Sequence, residues 1–343
     1  MTRPALALGA ALLLLALASR AQTPPLAPVT IATTLTLTDL NLLIARSRGY
    51  FRDEGIDANI ISVDSAARVL PSLAVGDVDV AAGAPTAAFY NLVARGVGVR
   101  IVADKNATPP GRHSQTLVVR KALVDSGRVK TISDIKGLRV ATAALGSTSM
   151  GTFERLYART GLKPNDFEHV VLNVPQQITA LQNGAIDAGF PTEPIATMAV
   201  RQGIAVRIIT DDVLYPYHQI ATLIYSPKFR LERAGQAAAF MRAYLRGTRA
   251  LNASIIDGRL AGKDAEEFLS LVVEHTPLKD RELARALVLA NCRDDGMPHM
   301  PSLKEDLEIF RREKLLEGQV EIEDAVDLSF VTAANRDLSA REK

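Results

Sequence analysis

The chain has 343 residues and a formal net charge of +2, and 48% of its residues are hydrophobic. That composition can bury enough apolar surface for two compact lobes, and the near-neutral charge carries no basic footprint for nucleic acid. Trp is absent and aromatic residues make up 5% of the chain, which disfavours a sugar-stacking site or an aromatic cage.

Residues 1–21 have the pattern of a secretory signal peptide. Arg3 precedes an uncharged apolar stretch at 5–18, and small residues before Gln22 predict cleavage near Ala21. The stretch is shorter than the roughly 20 residues of a membrane-spanning helix, which disfavours the alternative of a retained anchor. Cleavage removes two of the 40 basic residues, Arg3 and Arg20, and so balances the 38 acidic ones. We therefore expect a soluble protein exported to the periplasm.

The pattern next predicts two runs of alternating strands and helices. Strands are expected at 29–35, 58–63, 78–83 and 99–104, with helices at about 39–52, 66–75 and 85–95. The same order returns with strands at 138–144, 169–174, 186–190 and 206–210, and helices at about 148–160, 175–183 and 193–202. Such alternation favours parallel sheets and an α/β fold.

The two runs also match in sequence at an offset near 108. Leu73, Gly76 and Asp79 recur as Leu181, Gly184 and Asp187. Chance similarity between two amphipathic units is the alternative, but the combined pattern and order favour a duplicated lobe.

Two extended stretches, at 113–121 and 218–226, are expected to be the crossings between the lobes. Lobe 1 would then comprise 28–112 plus 222–335, and lobe 2 would comprise 113–221. Further helices are expected at 231–257 and 263–275, with one opened by Thr276-Pro277 and one opened by Ser302 with Glu305 as a capping box. Leu303, Leu307 and Phe310 make the core-facing stripe of the last helix, and the tail from about Asn335 is expected to fray.

Polar turns follow four of the predicted strands, at 36–39, 83–86, 146–149 and 191–194. Ligands of parallel sheets bind beyond the carboxyl ends of strands, where helix N-termini favour an anionic or strongly polar group. For the hydroxyls and for Asp39, the alternative role is N-capping. Glu193 could instead stabilise only the start of its own helix. A histidine beside a strand, such as His218, often has a structural role. The candidate ligand contacts are Thr38, Asp39, Pro85, Thr86, Gly146, Ser147, Thr148, Thr192, Glu193 and His218.

Cationic partners for an anion are fewer. Lys105, Arg112 and His113 lie near the first crossing, and His218 lies at the second beside Tyr215 and Tyr217. Lone basic residues at strand ends are commonly solvated, so each of these residues could instead be an ordinary surface charge.

Catalytic and metal-binding motifs are missing from the sequence. It has no HExxH, CxxC, Walker or Rossmann pattern, and its five histidines lack metal-ligand spacing. The single cysteine, Cys292, cannot form an internal disulfide and is expected to be a buried small hydrophobe. We therefore expect no cofactor, no metal and no catalytic residue.

Five segments resemble the nitrate/sulfonate/taurine-type (SsuA/TauA) periplasmic binding proteins, a group that includes the NMT1/THI5-like proteins. The resemblance covers about residues 29–250. The segments that carry it are 49–61, 73–89, 132–142 with the following Gly-Ser-Thr-Ser turn, 181–194, and the strand that returns at the second crossing.

The resemblance implies a type II periplasmic-binding-protein fold, two-lobed with a cleft between the lobes. It implies ligand contacts at Thr38, Thr86, Ser147, Thr148 and Glu193, and a sulfonate, carboxylate, nitrate-like anion or pyrimidine precursor as ligand. The expected partner is the permease of an ABC importer in the inner membrane, and we expect a monomer.

Two other functions stay open at this point. A same-fold enzyme of cofactor biosynthesis is one alternative, although the chain lacks the cysteine cluster and histidine pattern of the family's pyrimidine-synthesising enzymes. A ligand-sensing module that contacts a membrane receptor is the other.

Overall fold

The computed structural model describes residues 25–64, 66–143, 146–290 and 292–341. The predicted signal peptide at 1–21 lies outside the described residues. Within these ranges no helix is both long and apolar enough to cross a bilayer.

The first half of the chain alternates strands and helices, because its β-branched runs are buried and its helices bury one face. The elements are β1 (Ala27–Thr33), α1 (Leu40–Ser47), α2 (Tyr50–Asp53), β2 (Ile56–Ser62), α3 (Ala66–Val75), β3 (Val80–Gly83), α4 (Ala87–Ala94) and β4 (Arg100–Thr108). The single helix predicted at about 39–52 is divided at Gly49, whose φ of 73° breaks the helical backbone.

After one strand and one short helix, the second run repeats this order with shorter strands. Its elements are β5 (Thr116–Arg120), α5 (Lys121–Asp125), β6 (Arg139–Thr142), α6 (Ser149–Thr160), β7 (Glu168–Val171), α7 (Val174–Asn183), β8 (Ala188–Gly189), α8 (Ile195–Arg201), β9 (Ala205–Thr210) and α9 (Asp211–Leu214). Left-handed glycines, Gly161 and Gly184, end α6 and α7.

The remaining chain is mostly helical. Its elements are β10 (His218–Tyr225), α10 (Pro227–Leu231), α11 (Ala234–Ala253), β11 (Ile255–Ile256), β12 (Arg259–Leu260), α12 (Ala265–His275), α13 (Arg281–Ala286), α14 (Met300–Arg312), α15 (Ile322–Ala325) and α16 (Ser329–Arg341). The helix predicted at 231–257 is therefore three elements, because the chain turns after Leu231 and forms the β11–β12 hairpin after Ala253.

Two five-stranded sheets form the framework, in the orders β2-β1-β3-β10-β4 (the first sheet) and β7-β6-β8-β5-β9 (the second sheet). In each sheet three strands of one repeat pair in parallel, and one inserted strand, β10 or β5, runs antiparallel to both of its neighbours. The predicted two-lobed α/β architecture is confirmed.

The sequence repeat has a structural reason in its aspartates. Asp79 accepts a hydrogen bond from the backbone N–H of Thr30 at 2.9 Å, and Asp187 accepts one from that of Arg139 at 3.1 Å. Each carboxylate thus holds the turn before its own strand against the first strand of its repeat. Arginine partners, Arg233 for Asp79 and Arg139 for Asp187, balance the two charges.

The chain passes between the two sheets at 109–115 and 211–217. The predicted crossings, 113–121 and 218–226, start later and are mostly strand. A run of apolar residues in extended conformation is buried by pairing inside a sheet, and both of these runs are paired there as β5 and β10.

Several C-terminal predictions are corrected by the structure. The helix expected after Thr276 begins at Arg281, because Asp280 accepts a hydrogen bond from the N–H of Leu283 at 3.0 Å. The helix expected to open at Ser302 begins at Met300 with His299 as its N-cap. Glu305 is therefore no capping residue.

Two further C-terminal features concern packing. The predicted stripe of Leu303, Leu307 and Phe310 is buried against the first sheet's helices, as expected. The predicted frayed tail from Asn335 is wrong, because α16 continues to Arg341 and buries Val331, Ala334 and Leu338 in the core beside α11.

Candidate functional site

Two of the four predicted turns face each other across a small cavity. Thr38 comes from the turn after β1 in the first sheet, and Glu193 from the turn after β8 in the second. The cavity between them has a volume of about 10 Å³, roughly the space for a single water molecule. His113 and Ser114 of the first crossing complete its polar side. The two sheets are therefore nearly closed on one another at this point.

The other two turns touch directly. The backbone N–H of Ala87, beside Thr86, donates to the carbonyl oxygen of Gly146 at 2.7 Å. A Cβ at Gly146 would lie 3.0 Å from that of Ala87, and its φ is +64°, so only glycine fits this approach without strain. Thr148 adds a second link, because its hydroxyl donates to the carbonyl of Ile220 on β10 at 3.2 Å. All four turns thus converge between the sheets.

A buried ion pair supports the Thr38 turn. Lys105 Nζ lies 2.7 Å from Asp39 Oδ1, and both side chains are almost completely buried. The same carboxylate accepts hydrogen bonds from the hydroxyl of Thr33 and from the backbone N–H of Thr36. Lys105 also donates to the hydroxyl of Thr38 at 3.1 Å. Asp39 and Lys105 therefore position Thr38, and neither offers a free charge to a ligand.

An ion pair with the partly exposed Arg207 supports the buried carboxylate of Glu193. Its Oε1 lies 2.9 Å from Arg207 Nη2 and 3.7 Å from His113 Nε2, and its Oε2 accepts from the backbone N–H of Thr197. Burial alone would raise the pKa of Glu193, but His113, Arg207 and Thr197 outweigh it and hold that pKa below its usual value. The cavity therefore has an ionised carboxylate in its wall.

Arg207 was not among the predicted site residues. It lies on β9, and its other guanidinium nitrogen contacts Thr116 and His113. A charged residue in an otherwise apolar strand was the available sequence signal, but no local pattern identifies Glu193 as its partner.

The hydroxyls of the two touching turns have local roles. Thr86 accepts a weak capping bond from the N–H of Phe89 at 3.4 Å, which is the predicted alternative role. Ser147 and Ser149 share a hydrogen bond at 2.6 Å, and Ser149 also meets Thr142 at 3.1 Å. Pro85 is buried between these elements. On the other pair of turns, the buried hydroxyl of Thr192 has no hydrogen-bond partner within the described residues.

His218 lies away from the Thr38–Glu193 cavity. Its Nε2 is 2.8 Å from Asp306 Oδ2, its Nδ1 is 3.5 Å from the hydroxyl of Thr152, and its ring stacks on Tyr215. In this arrangement the side chain is fully buried and both ring nitrogens have protein partners. His218 has the structural role that the sequence left open, joining β10 and α14 to α6.

The other predicted aromatic and basic candidates also lie apart from the cavity. Tyr215 donates to Glu305 at 2.5 Å. Tyr217 is half exposed and packs near His299. Arg112 lines a different, larger pocket.

The third side of the cavity is apolar and comes from far along the chain. Val288, Leu289 and Ala290 line it. Leu287 and Leu289 are buried in the core beside α12, and the N–H of Leu289 donates to the carbonyl of Gly258 at 2.8 Å. The buried Leu287 and Leu289 therefore anchor this segment, and the less buried Val288 and Ala290 line the cavity together with Leu289. Sequence reasoning missed it, because a short irregular segment has no periodic signal.

Comparisons with known proteins place these features in context. A family model described as NMT1/THI5 like matches residues 39–254. No curated protein sequence matched the chain. Within the described residues, no group of three or more His, Cys, Asp or Glu side chains is arranged to hold a metal ion.

Several solved structures superpose on most of the chain. The periplasmic nitrate-binding protein NrtA from Synechocystis PCC 6803 has 15% identity and a TM-score of 0.76, covering 92% of this chain and 90% of that one. The alkanesulfonate-binding protein SsuA from Xanthomonas axonopodis pv. citri, bound to MOPS, has 16% identity and a TM-score of 0.68, with coverages of 89% and 99%.

A third example is a zinc-bound ligand-binding component of an ABC-type import system from Staphylococcus aureus. It has 13% identity and a TM-score of 0.71, covering 90% of this chain and 99% of that one. At such low identities the likeness shows the fold, and it confirms the periplasmic-binding-protein fold that the sequence resemblance implied.

Proposed function

Because the chain belongs to the NMT1/THI5-like family, we propose that it is an exported solute-binding protein that delivers a small polar molecule to an ABC importer. The observation that carries the proposal is the meeting of Thr38 and Glu193, from different sheets, across a gap that a ligand can occupy only if the sheets separate. The superposable proteins support this class of function. Two are named as nitrate-binding and alkanesulfonate-binding proteins, and the third as the ligand-binding component of an ABC-type import system.

The proposed motion is a rotation of two lobes, 28–112 with 222–335 and 113–221, about the two crossings. Asp211 joins the crossings, since its carboxylate accepts from the N–H groups of Ser114 and Gln115 and from the hydroxyl of Ser114. Segments clamped side by side bend together, as hinges do in two-lobed binding proteins. Ligand contacts made to both lobes at once would then stabilise the closed form.

The charges at the cavity narrow the ligand class. Lys105 is paired with Asp39 and Arg207 with Glu193, so the two cations nearest the cavity are already neutralised. Recognition then falls to the hydroxyls of Thr38 and Ser114 and to the Glu193 carboxylate, with an apolar wall opposite. This set suits a small organic molecule that has N–H or O–H donors and an apolar flank. A sulfonate, carboxylate or nitrate-like anion would have to be held by neutral donors.

The test is a thermal-shift screen of the mature protein against small sulfonates, carboxylates, nitrate and amino-substituted heterocycles, followed by calorimetry. A compound that binds only the folded protein raises its melting temperature. We expect Thr38→Ala and Glu193→Gln to weaken binding of that compound at least about tenfold, which corresponds to about one lost hydrogen bond to a charged or polar group.

The matched control is Thr332→Ala, at an exposed threonine on α16, which should bind like the unmodified protein. Unchanged affinity in both cavity variants would refute the site. Turnover of the compound, followed by mass spectrometry, would instead assign the protein to the enzymes of this fold. Recovery of the full-length gene product from the cytoplasm with its first 21 residues intact would refute export.

A further inference from the structure

A second pocket includes Arg112 of the first crossing and shares no lining residue with the cavity described above. It has a volume of about 390 Å³ and is lined by six residues. They come from the crossing, from the end of α11 with the start of β11, and from the segment before α14: Arg112, Asn252, Ile255, Arg293, Asp294 and Asp295.

Three of the four charged residues in this pocket already have partners. Arg293 makes a two-point ion pair with Asp295, at 2.9 and 2.6 Å. Asp294 accepts from Asn252 Nδ2 at 2.6 Å. These contacts hold the floor of the pocket in place without any ligand.

Arg112 is the exception among the lining residues. Its Nη1 is buried and has no hydrogen-bond partner within the described residues. Burial lowers the pKa of Arg112, and the charge of Asp257 only partly opposes this. Asn252 Oδ1 is a second buried atom of the same pocket without a partner. The side chains of Arg112 and Asn252, each with one buried and unpaired atom, therefore belong to the wall of one pocket.

Such unpaired atoms are costly to bury. A rotation of the two side chains toward the pocket would let a ligand with the complementary groups pair with both. A guanidinium binds carboxylate or phosphate through two parallel N–H bonds, and an amide oxygen accepts from a hydroxyl or N–H group. Ile255 adds an apolar contact. We propose that this pocket is a second ligand site, and that it takes a small carboxylate or phosphate that also has a hydroxyl or N–H donor.

The position of Arg112 also has a mechanical consequence. Arg112 Cδ lies 3.7 Å from the position of a Cβ at Gly258, next to the β11–β12 hairpin, and its neighbour Gly111 donates to Asp212 of the second crossing at 2.8 Å. An anion bound between Arg112 and Asn252 would link the crossing to the end of α11.

The experiment uses the full mature chain at low ionic strength with two matched probes, glycolate and its uncharged amide, glycolamide, and with inorganic phosphate as a third. Binding is followed by calorimetry and by the guanidinium NMR signals of ¹³C,¹⁵N-arginine-labelled protein. We expect saturable glycolate or phosphate binding that shifts the Arg112 signal, and little binding of glycolamide.

Arg112→Gln should weaken anion binding at least tenfold, and Arg112→Lys, which keeps the charge but loses the planar fork, should fall between. The control is Arg159→Gln, at an exposed arginine on α6. Three results would overturn the proposal. Arg112→Gln could bind the anions as tightly as the unmodified protein, glycolamide could bind as tightly as glycolate, or the unmodified protein could bind neither anion. The circular dichroism spectrum of each variant checks that it folds, and the NMR shift in the unmodified protein tests the site without any substitution.

Discussion

Breaking the buried Asp39–Lys105 pair should destabilise the protein strongly. At the observed 2.7 Å, an effective dielectric constant of about 20 gives an attraction of about 6 kcal/mol, which the desolvation of both groups partly offsets. Lys105→Met keeps the volume of the side chain but leaves the Asp39 carboxylate buried without its cation. We expect a loss of about 3–5 kcal/mol in the free energy of unfolding, because that is the usual penalty for an uncompensated buried charge.

The assay is urea unfolding followed by circular dichroism, together with a thermal scan in which the melting temperature should fall by roughly 10 °C. The double variant Asp39→Asn with Lys105→Met should recover part of the loss, and the resulting double-mutant cycle measures the coupling of the two residues. Residual bonds from Thr33 and Thr36 to the carboxylate make the lower end of the range the expected one.

The control pair is Lys121 and Asp125, one helical turn apart at 2.6 Å and largely exposed. Lys121→Met should change the free energy of unfolding by less than about 0.5 kcal/mol, since water screens an exposed pair. If Lys105→Met costs no more than Lys121→Met, the argument that Asp39 depends on Lys105 is wrong. In that case the role of Lys105 in positioning Thr38 also fails.

Three further predictions concern the cavity, the hinge and the contact between α6 and α14. Ala290→Leu should narrow the apolar wall and weaken binding of a cleft ligand in calorimetry, while Ala340→Leu, at an exposed position, should not. Burial raises the pKa of Asp211 from 3.8 to about 6, although its hydrogen bonds act to lower that pKa. A carboxyl whose pKa is raised in the folded state stabilises the fold below its unfolded-state pKa. That stabilisation is lost as the pH rises through the folded-state pKa. Asp211→Asn should therefore remove about 2 kcal/mol of the fall in stability between pH 4 and 7, measured by urea titrations at each pH, and an unchanged slope would contradict it. Gly151→Ala places a Cβ 2.3 Å from Asp306 Oδ1 and should cost about 1–3 kcal/mol in thermal unfolding, whereas Gly235→Ala, with open space around it, should be neutral or stabilising.

Local patterns in the sequence determined the class of fold and the place where its polar turns meet. Hydrophobic periodicity located the alternating strands and helices, and the recurrence of Asp79 as Asp187 revealed a duplication whose members make the same bond to the first strand of each repeat. Because the carboxyl ends of parallel strands meet at one edge, the four polar turns could be expected together, and Thr38 does lie opposite Glu193. These inferences depend on burial and backbone geometry over a few residues, which the order of residues specifies.

Only the tertiary structure decided which charges are already paired. Nothing in the local sequence links Lys105 to Asp39, Arg207 to Glu193 or His218 to Asp306, since these partners are distant in the chain or belong to separate elements. The apolar wall at Val288 and Ala290 and the unpaired Arg112 were equally hidden. Periodicity shows which residues are buried but not which residues they are buried against. Ligand specificity depends on those contacts between distant residues.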